Sequence, residues 1–349
     1  MGLRLRGGPI ESKEKRRIRS INLMFVLVLT AAVLFSLCVG KYPVTPIESV
    51  EIIVSNIFGI TGNWEPMTES VVMKLRLTRT IAAVLVGSSL AVSGATYQGI
   101  FRNPLVSPDL LGVSSGACIG AAIAILMALP SGYIQLFAFC GGLLAVTITL
   151  LIPRMIRSDS NLMLVLSGII VGGLMSSIMG FIKYTADPDT QLAAITYWQM
   201  GSLSYIKMTS VLSILPTIVV SMIILFAMSW WIDIVSLGEK EAKTLGANVR
   251  AILYVAIACS TLLTASSVCI AGTIGWVGLV IPHFARLIVG PDNTKLLPAA
   301  CLIGAIFLLL VDTAARTIGS AELPLSILTG IIGAPFYAWL LYKQRMRLQ

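Results

Sequence analysis

One histidine, six cysteines and 16 carboxylates are the catalytic and metal-binding material in this 349-residue chain. Metal sites built from Cys and His need several ligands at short, regular spacings. Here Cys38, Cys118, Cys140, Cys259, Cys269 and Cys301 fall singly in or beside apolar runs, with no C-x-x-C among them and only His283 as imidazole. Zinc, haem or iron–sulfur ligation by this chain alone is therefore not expected. The cysteines read as small buried residues of helix packing, and His283 as a hydrogen-bonded structural residue near a helix end. There is no GxxxxGKS/T phosphate loop, so ATP is not bound in the usual way. No catalytic residue and no metal ligand is assigned, and the expected chain is not an enzyme.

What remains is charge in places that need a reason. Arg76 and Arg79 flank the start of one apolar run; Arg316 ends another, one turn after Asp312. Glu239 and Lys243 stand at i, i+4 in a short polar segment, where they can pair on one helix face.

The elements that carry these residues are apolar runs. Hydrophobic residues make up 56% of the chain and charged residues 12%, about half the charged share of a soluble domain. No Asp, Glu, Lys or Arg lies between Asp109 and Arg154, from Ala251 to Ala285, or from Leu323 to Tyr342. A bilayer core takes ~20 apolar residues per helix, and only structures that satisfy their own backbone survive there. The fold class expected is all-α: a polytopic membrane protein with about ten spans, at 21–39, 80–101, 111–130, 133–153, 161–182, 209–232, 251–271, 273–289, 297–318 and 323–342. The first run is followed by no small-residue cleavage site and reads as a retained helix. The eighth is short and contains Pro282.

An even number of spans puts both termini on one side. The basic residues before residue 20, with Lys343, Arg345 and Arg347, mark that side as cytoplasmic. The chain then divides into a basic tail at 1–20, one transmembrane domain at 21–342 and a short tail at 343–349, in a multi-pass cytoplasmic-membrane protein. The net charge of +9 is read through this topology and not as a nucleic-acid signal. Arg76, Arg79 and Arg316 fall on the outer side, against the trend. Snorkelling to headgroups, pairing with an acidic partner and, for Arg316, a local pair with Asp312 are the readings open to them.

Small residues crowd the spans: SSLAVSGA at 88–95, GVSSGACIGAA at 112–122 and GIIVGG at 168–173. They permit close helix approach and predict a compact bundle. Three cytoplasmic segments stand out. FRNPLVSPDLLGVSSGA at 101–117 is broken by Pro104 and Pro108. IVSLGEKEAKTLGANVR at 234–250 has helix formers from Glu239 to Leu245 and suits docking of a soluble partner better than lying on lipid. GTIGWVGLVIPHFAR at 272–286 combines regular glycines with proline, as an interrupted helix would.

Taken in order, RLTRT at 76–80, FRNPL and LLGVSSGA, LGEKEAKTLG, GTIGWVGLVIPH, VDTAAR at 311–316, ELP at 322–324 and IGAPFYAWLL at 332–341 resemble the permease subunits of bacterial ABC importers for iron–siderophores, haem and cobalamin. The resemblance covers about residues 70 to 342. Thr78 stands where the family often has Pro, and Trp276 where it has Phe. The resemblance implies a type II ABC importer permease fold. It also implies a second permease copy (identical or a close paralogue), two ATPase subunits carrying ATP and Mg, an extracytoplasmic substrate-binding protein, and membrane lipid as surroundings, with no cofactor on this chain and no nucleic acid. By the same resemblance, Leu237, Gly238, Glu239, Ala242, Leu245 and Gly246 would dock the ATPase; Arg76, Arg79 and Arg316 would meet acidic residues of the binding protein. Ser158, Asp159 and Ser160 would form the inner gate. Span five would line the pathway with Ser167, Gly168, Gly172, Ser176 and Ser177. The expected function is permeation of a ferric siderophore or a related chelate into the cytoplasm. The alternative is an ion-coupled secondary transporter, which usually carries ionisable residues inside the membrane; here Asp312 and Arg316 sit towards one end of their span.

Overall fold

A computed structural model describes residues 9–60, 62, 64–157, 161–319 and 321–345. Among them there is no strand. The described residues open with α1 (Pro9–Cys38), followed by the amphipathic α2 (Pro46–Phe58). Thr45 caps α2 by accepting from the Glu48 N–H at 3.2 Å, Pro46 occupies the first turn, and Gly59 ends it in the left-handed region (φ 66°). Next, α3 (Pro66–Ser70), a π-helical stretch Val71–Leu77 and α4 (Thr78–Phe101) run on as one rod. The expected second span therefore begins well before residue 80, and Arg76 and Arg79 lie on helix.

The irregular stretch 102–112 contains a 3-10 turn, Pro108–Leu111, and leads into α5 (Val113–Leu126), α6 (Ser131–Met155) and α7 (Asn161–Thr185). A short helix, α8 (Gln191–Met200), precedes α9 (Met208–Ala227). The expected sixth span, 209–232, divides here into α9 and the separate α10 (Ser229–Leu237), followed by α11 (Glu239–Thr244). The remaining spans are α12 (Val249–Ala271), α13 (Val277–Val289), α14 (Asn293–Ala315) and α15 (Leu325–Arg345). Among the described residues seven helices are long and apolar enough to cross a bilayer, and α5, α13 and α15 supply shorter apolar segments. These make up the ten expected spans.

The core gathers around α4, which is packed by α9, α12, α13 and α14 and buried over most of its length. Glycine makes this possible at two crossings. A Cβ at Gly87 would lie 2.3 Å from the Gly304 carbonyl oxygen on α14, and one at Gly94 would lie 1.9 Å from that of Gly278 on α13. Backbones this close exclude any side chain. Towards α12 the contact is polar: Ser93 Oγ donates to the Ser260 carbonyl at 3.0 Å and lies 2.9 Å from Thr264 Oγ1, while Tyr97 Oη meets Thr261 Oγ1 at 3.1 Å.

Two irregular segments sink into the bundle, which is tolerated only where protein covers the backbone. In the first, the Leu111 carbonyl accepts from Thr149 Oγ1 at 3.0 Å and the Pro108 ring lies against Gly278. In the second, 272–276, Gly272 (φ 68°) and Trp276 (φ 70°) turn the chain between α12 and the short α13. Backbone bonds from Ser202 to the Ala271 carbonyl (2.8 Å) and from Leu325 to the Gly201 carbonyl (2.9 Å) tie together the segments before α9, α13 and α15. The interrupted helix expected of GTIGWVG is thus present, and the Trp276 indole rests on Gly333 of α15.

Candidate translocation wall and its two ends

α7 has two faces. Val171, Met175, Met179, Ile182 and Ala186 recur at helical spacing and are buried with residues of α5, α6 and α8. On the other side Ile169, Ile170, Gly173, Leu174, Ser176, Ser177, Ile178, Gly180 and Phe181 are exposed. No charged residue lies between 169 and 181. The wall is therefore apolar, with small hydroxyl and glycine positions; Ser177 Oγ is turned back to the Gly173 carbonyl at 3.1 Å. Of the expected lining residues, Ser176 and Ser177 are on this face and Gly172 is at its edge. Ser167 and Gly168 are not. Ser167 is buried and donates to Met163 O at 2.8 Å, and a Cβ at Gly168 would lie 2.1 Å from Leu110 O. Both belong to the face packed on the 108–111 turn, because the apolar stripe fixes the rotation of α7 and they fall on its inner side. Ser158, Asp159 and Ser160, the expected gate, lie outside the described residues.

At the end bearing α10 and α11, two glycines shape the turn: Gly238 (φ 138°) and Gly246 (φ 80°) bracket α11. Such φ values favour glycine. Ala242 is fully buried among Ile234, Val235, Ala247, Val249 and Ile252, so it anchors α11 and is not a contact surface. Leu237 and Leu245 are 63% and 59% exposed. Glu239 pairs with Lys243 at 2.7 Å, as their spacing predicts. Leu237 and Leu245 edge a groove of about 510 Å³ shared with Trp230, Asp233, Ile234, Ser236, Pro291 and Asp292. Burial raises the Asp233 carboxyl above its ordinary value, opposed by hydrogen bonds from Asn293, whose N–H donates at 2.9 Å and whose Nδ2 donates at 2.6 Å.

At the opposite end the arginines turn inward, which corrects the expectation that they face a partner. Arg76, Arg79 and Arg316 are only 3%, 8% and 8% exposed. Arg76 Nη1 donates to the carbonyls of Leu37 (2.7 Å) and Cys38 (3.0 Å), and Nη2 to that of Tyr42. It thereby caps the C-terminal end of α1, where a cation suits the helix dipole. Arg316 donates to Ser36 O and, at 2.8 Å, to Ser36 Oγ. Arg79 holds both carboxylate oxygens of Asp312 through Nε, at 2.8 and 2.9 Å, and Glu322 through Nη1 at 2.8 Å. The local Asp312–Arg316 pair open to sequence reading gives way to this longer-range one. A buried guanidinium must spend its donors on protein acceptors, and the ends of α1 and α14 supply them. Glu322 reaches the surface; partial burial raises its carboxyl, but hydrogen bonds from Ser204 and Arg79 outweigh this and hold it below the ordinary value.

His283 is buried on α13 with its ring edge-on to Tyr337 at 6.4 Å. Its Nδ1 has no hydrogen-bond partner among the described residues, so the expected hydrogen bonding is not made through that nitrogen. Among the described residues no group of three His, Cys, Asp or Glu could hold a metal ion.

Ten spans around a small-residue core, with an uncovered helix face and a glycine-bracketed helical turn at one end, define a multi-pass membrane permease. The FecCD transport family matches residues 27–343, and the chain belongs to that family. It is 38% identical over 324 residues to the molybdate import system permease protein MolB of Haemophilus influenzae, covering 92% of this chain and 94% of the relative. It is 42% identical over 275 residues to a Helicobacter pylori permease protein of an iron chelatin transport system, covering 79% and 83%. A solved metal-chelate type ABC transporter in an inward-facing conformation superposes with a TM-score of 0.84 at 35% identity, covering 93% of this chain and 99% of that one. The chain is thus an ABC importer permease subunit of the type II fold, not itself an enzyme.

Proposed function

We propose that this chain forms one half of a pathway for a ferric siderophore or a related metal chelate such as haem or cobalamin, moved into the cytoplasm by ATPase subunits bound at α10 and α11. The carrying observation is the uncovered, uncharged face of α7. A second permease copy placed against it would close a channel whose wall offers a bulky chelate many weak contacts and no charge to hold it. Passage is served by such a wall, since tight binding would slow release. Both termini are then cytoplasmic, and α10 and α11 are on the same side. ATP closes the ATPase pair, α11 moves with it, and the equilibrium between outward and inward openings shifts through contacts that differ between the two states.

The binding protein would dock at the outer face. In this reading Arg76, Arg79 and Arg316 are the frame beneath that surface, and Glu322 with its neighbours is the part a partner can touch. Transport of an oxyanion is the second reading, favoured by the identity to the molybdate permease over nearly the whole chain. An uncharged α7 face weighs against it, because a naked oxyanion needs donors or cations.

The test uses the chain with its ATPase and binding protein in proteoliposomes. Uptake of iron supplied as a siderophore, with no uptake of molybdate, is the expected result; the reverse overturns the cargo. Leu237→Glu with Leu245→Glu should weaken ATPase association by at least tenfold, as loss of a buried apolar anchor pair costs more than ~1.4 kcal/mol, while the permease still folds. Unchanged association would remove α10 and α11 from the docking role.

A further inference from the structure

A second cleft opens beside α11, on the side away from the Leu237–Leu245 groove. Its volume is about 1090 Å³. The upper walls are apolar: Leu150 and Pro153 of α6, and Leu253, Tyr254 and Ile257 of α12. Ile257 is eight residues beyond the start of α12, so these walls rise ~12 Å into the span. The mouth is basic, lined by Arg102, Arg157, Lys243 and Arg250. Among the described lining residues Glu239 is the single carboxylate, and Lys243 neutralises it.

Two of these arginines stand where arginine is not the low-cost residue. Arg102 (φ 53°) caps α4 and Arg157 (φ 55°) follows α6, both in the left-handed region. Glycine or asparagine is usual there, and an L side chain is disfavoured. A cation does suit a helix C-terminus. The dipole does not explain why both side chains line the same cleft below apolar walls.

We propose that this cleft holds an anionic phospholipid of the cytoplasmic leaflet, with its phosphate between Arg102 and Arg157 and an acyl chain along Leu150, Leu253 and Ile257. Charge complementarity selects the headgroup, and the depth of the apolar walls selects a lipid over a free anion. Basic pockets between spans on the cytoplasmic side are suited to such headgroups. The bound lipid would bridge the end of α6, next to the α6–α7 connection, to α11. It would therefore sit where movement of the docking helix is passed to the spans. The leaflet follows from the orientation proposed above; the lipid readout itself needs neither cargo nor ATPase, so failure of one leaves the other testable.

The test is native mass spectrometry of the full chain released from phosphatidylcholine nanodiscs containing phosphatidylglycerol. The wild type should retain one phosphatidylglycerol per chain, and Arg102→Gln with Arg157→Gln should lower its affinity by about 30-fold, the product of two basic contacts. Leu253→Trp, which keeps every cation but fills the apolar wall, should also lose the lipid. Lys207→Gln, on another part of the surface, should keep it. Equal retention by the wild type and the double-arginine variant overturns the proposal. So does displacement by excess inorganic phosphate, which would show a free-anion site, or expulsion of the lipid when the ATPase binds, which would assign the cleft to the partner.

Discussion

α4 and α7 are both apolar helices interrupted by glycine and serine, and the chain treats them in opposite ways. α4 is enclosed on nearly every side, and its glycines at 87 and 94 touch the backbones of α14 and α13. α7 is buried along one stripe, and Gly172, Gly173 and Gly180 meet nothing within 4 Å. Small residues thus permit close approach without guaranteeing it. In α4 they hold the subunit together. In α7 they leave a smooth, exposed surface. The ends of the helices repeat this contrast: the start of α4 is fixed by Arg76 and Arg79 to α1 and α14, whereas the start of α7 borders the basic cleft.

The sharpest way to break the comparison is at the Arg79–Asp312 pair. Asp312 is fully buried. Asp312→Ala strands Arg79 with Glu322 alone, and removing one partner of a buried ion pair costs about 3–5 kcal/mol. Thermal unfolding in detergent should show that loss, whereas Arg102→Gln, at an exposed site, should stay within about 0.5 kcal/mol. Equal effects would mean that the arginine network is not structural. It follows that reversing the charges of Arg76, Arg79 and Arg316 together would destroy the frame and report nothing specific about docking.

Next in size is a matched pair of glycines. Gly87→Leu forces α4 from α14 and should destabilise by about 1–3 kcal/mol or more, the cost of overpacking. Gly173→Leu meets open space, so the melting temperature of the isolated subunit should not move. Its effect should appear in the assembled transporter, as slower chelate uptake or a weaker permease dimer. If Gly173→Leu leaves both untouched, the α7 face is neither wall nor interface.

Sequence pattern located the spans, the short helix at α11 and the interrupted helix because each depends on local signals: uninterrupted apolar length, Glu239–Lys243 spacing, and glycine at 238, 246 and 272. It did not show which side of α7 is open. Ser167 and Ser176 are alike as residues, and only the stripe from Val171 to Ala186, matched to α5 and α6, separates them. The arginines were harder still. Arg79 finds its acceptor 233 positions away, and the span topology that set it on the outer side could not tell a snorkelling or partner-facing guanidinium from one folded inward. The cleft lined by Arg102 and Arg157 has the same origin, since two helix ends far apart in sequence come to line one cleft only in the folded chain.

The smallest expected effect lies where α7 gives way to α8. Asp187 is exposed, and its carboxylate accepts from the N–H groups of Asp189 (2.9 Å) and Thr190 (3.1 Å) and from Thr190 Oγ1 (3.2 Å). Those bonds, the Thr190 N–H first, hold the carboxyl below its ordinary value. A carboxyl depressed in the folded state contributes order that is complete above its unfolded pKa, about 3.9, and that is lost as the pH falls through the lower folded value. Exchange of the Thr190 amide should accordingly speed up in acid relative to the amides of α4, and Asp187→Asn should remove that pH dependence. If the Thr190 amide keeps its protection in acid, the turn is held by packing of α8 and not by this carboxylate. The open helix would then be as firmly fixed at its C-terminal end as the enclosed one is at its start.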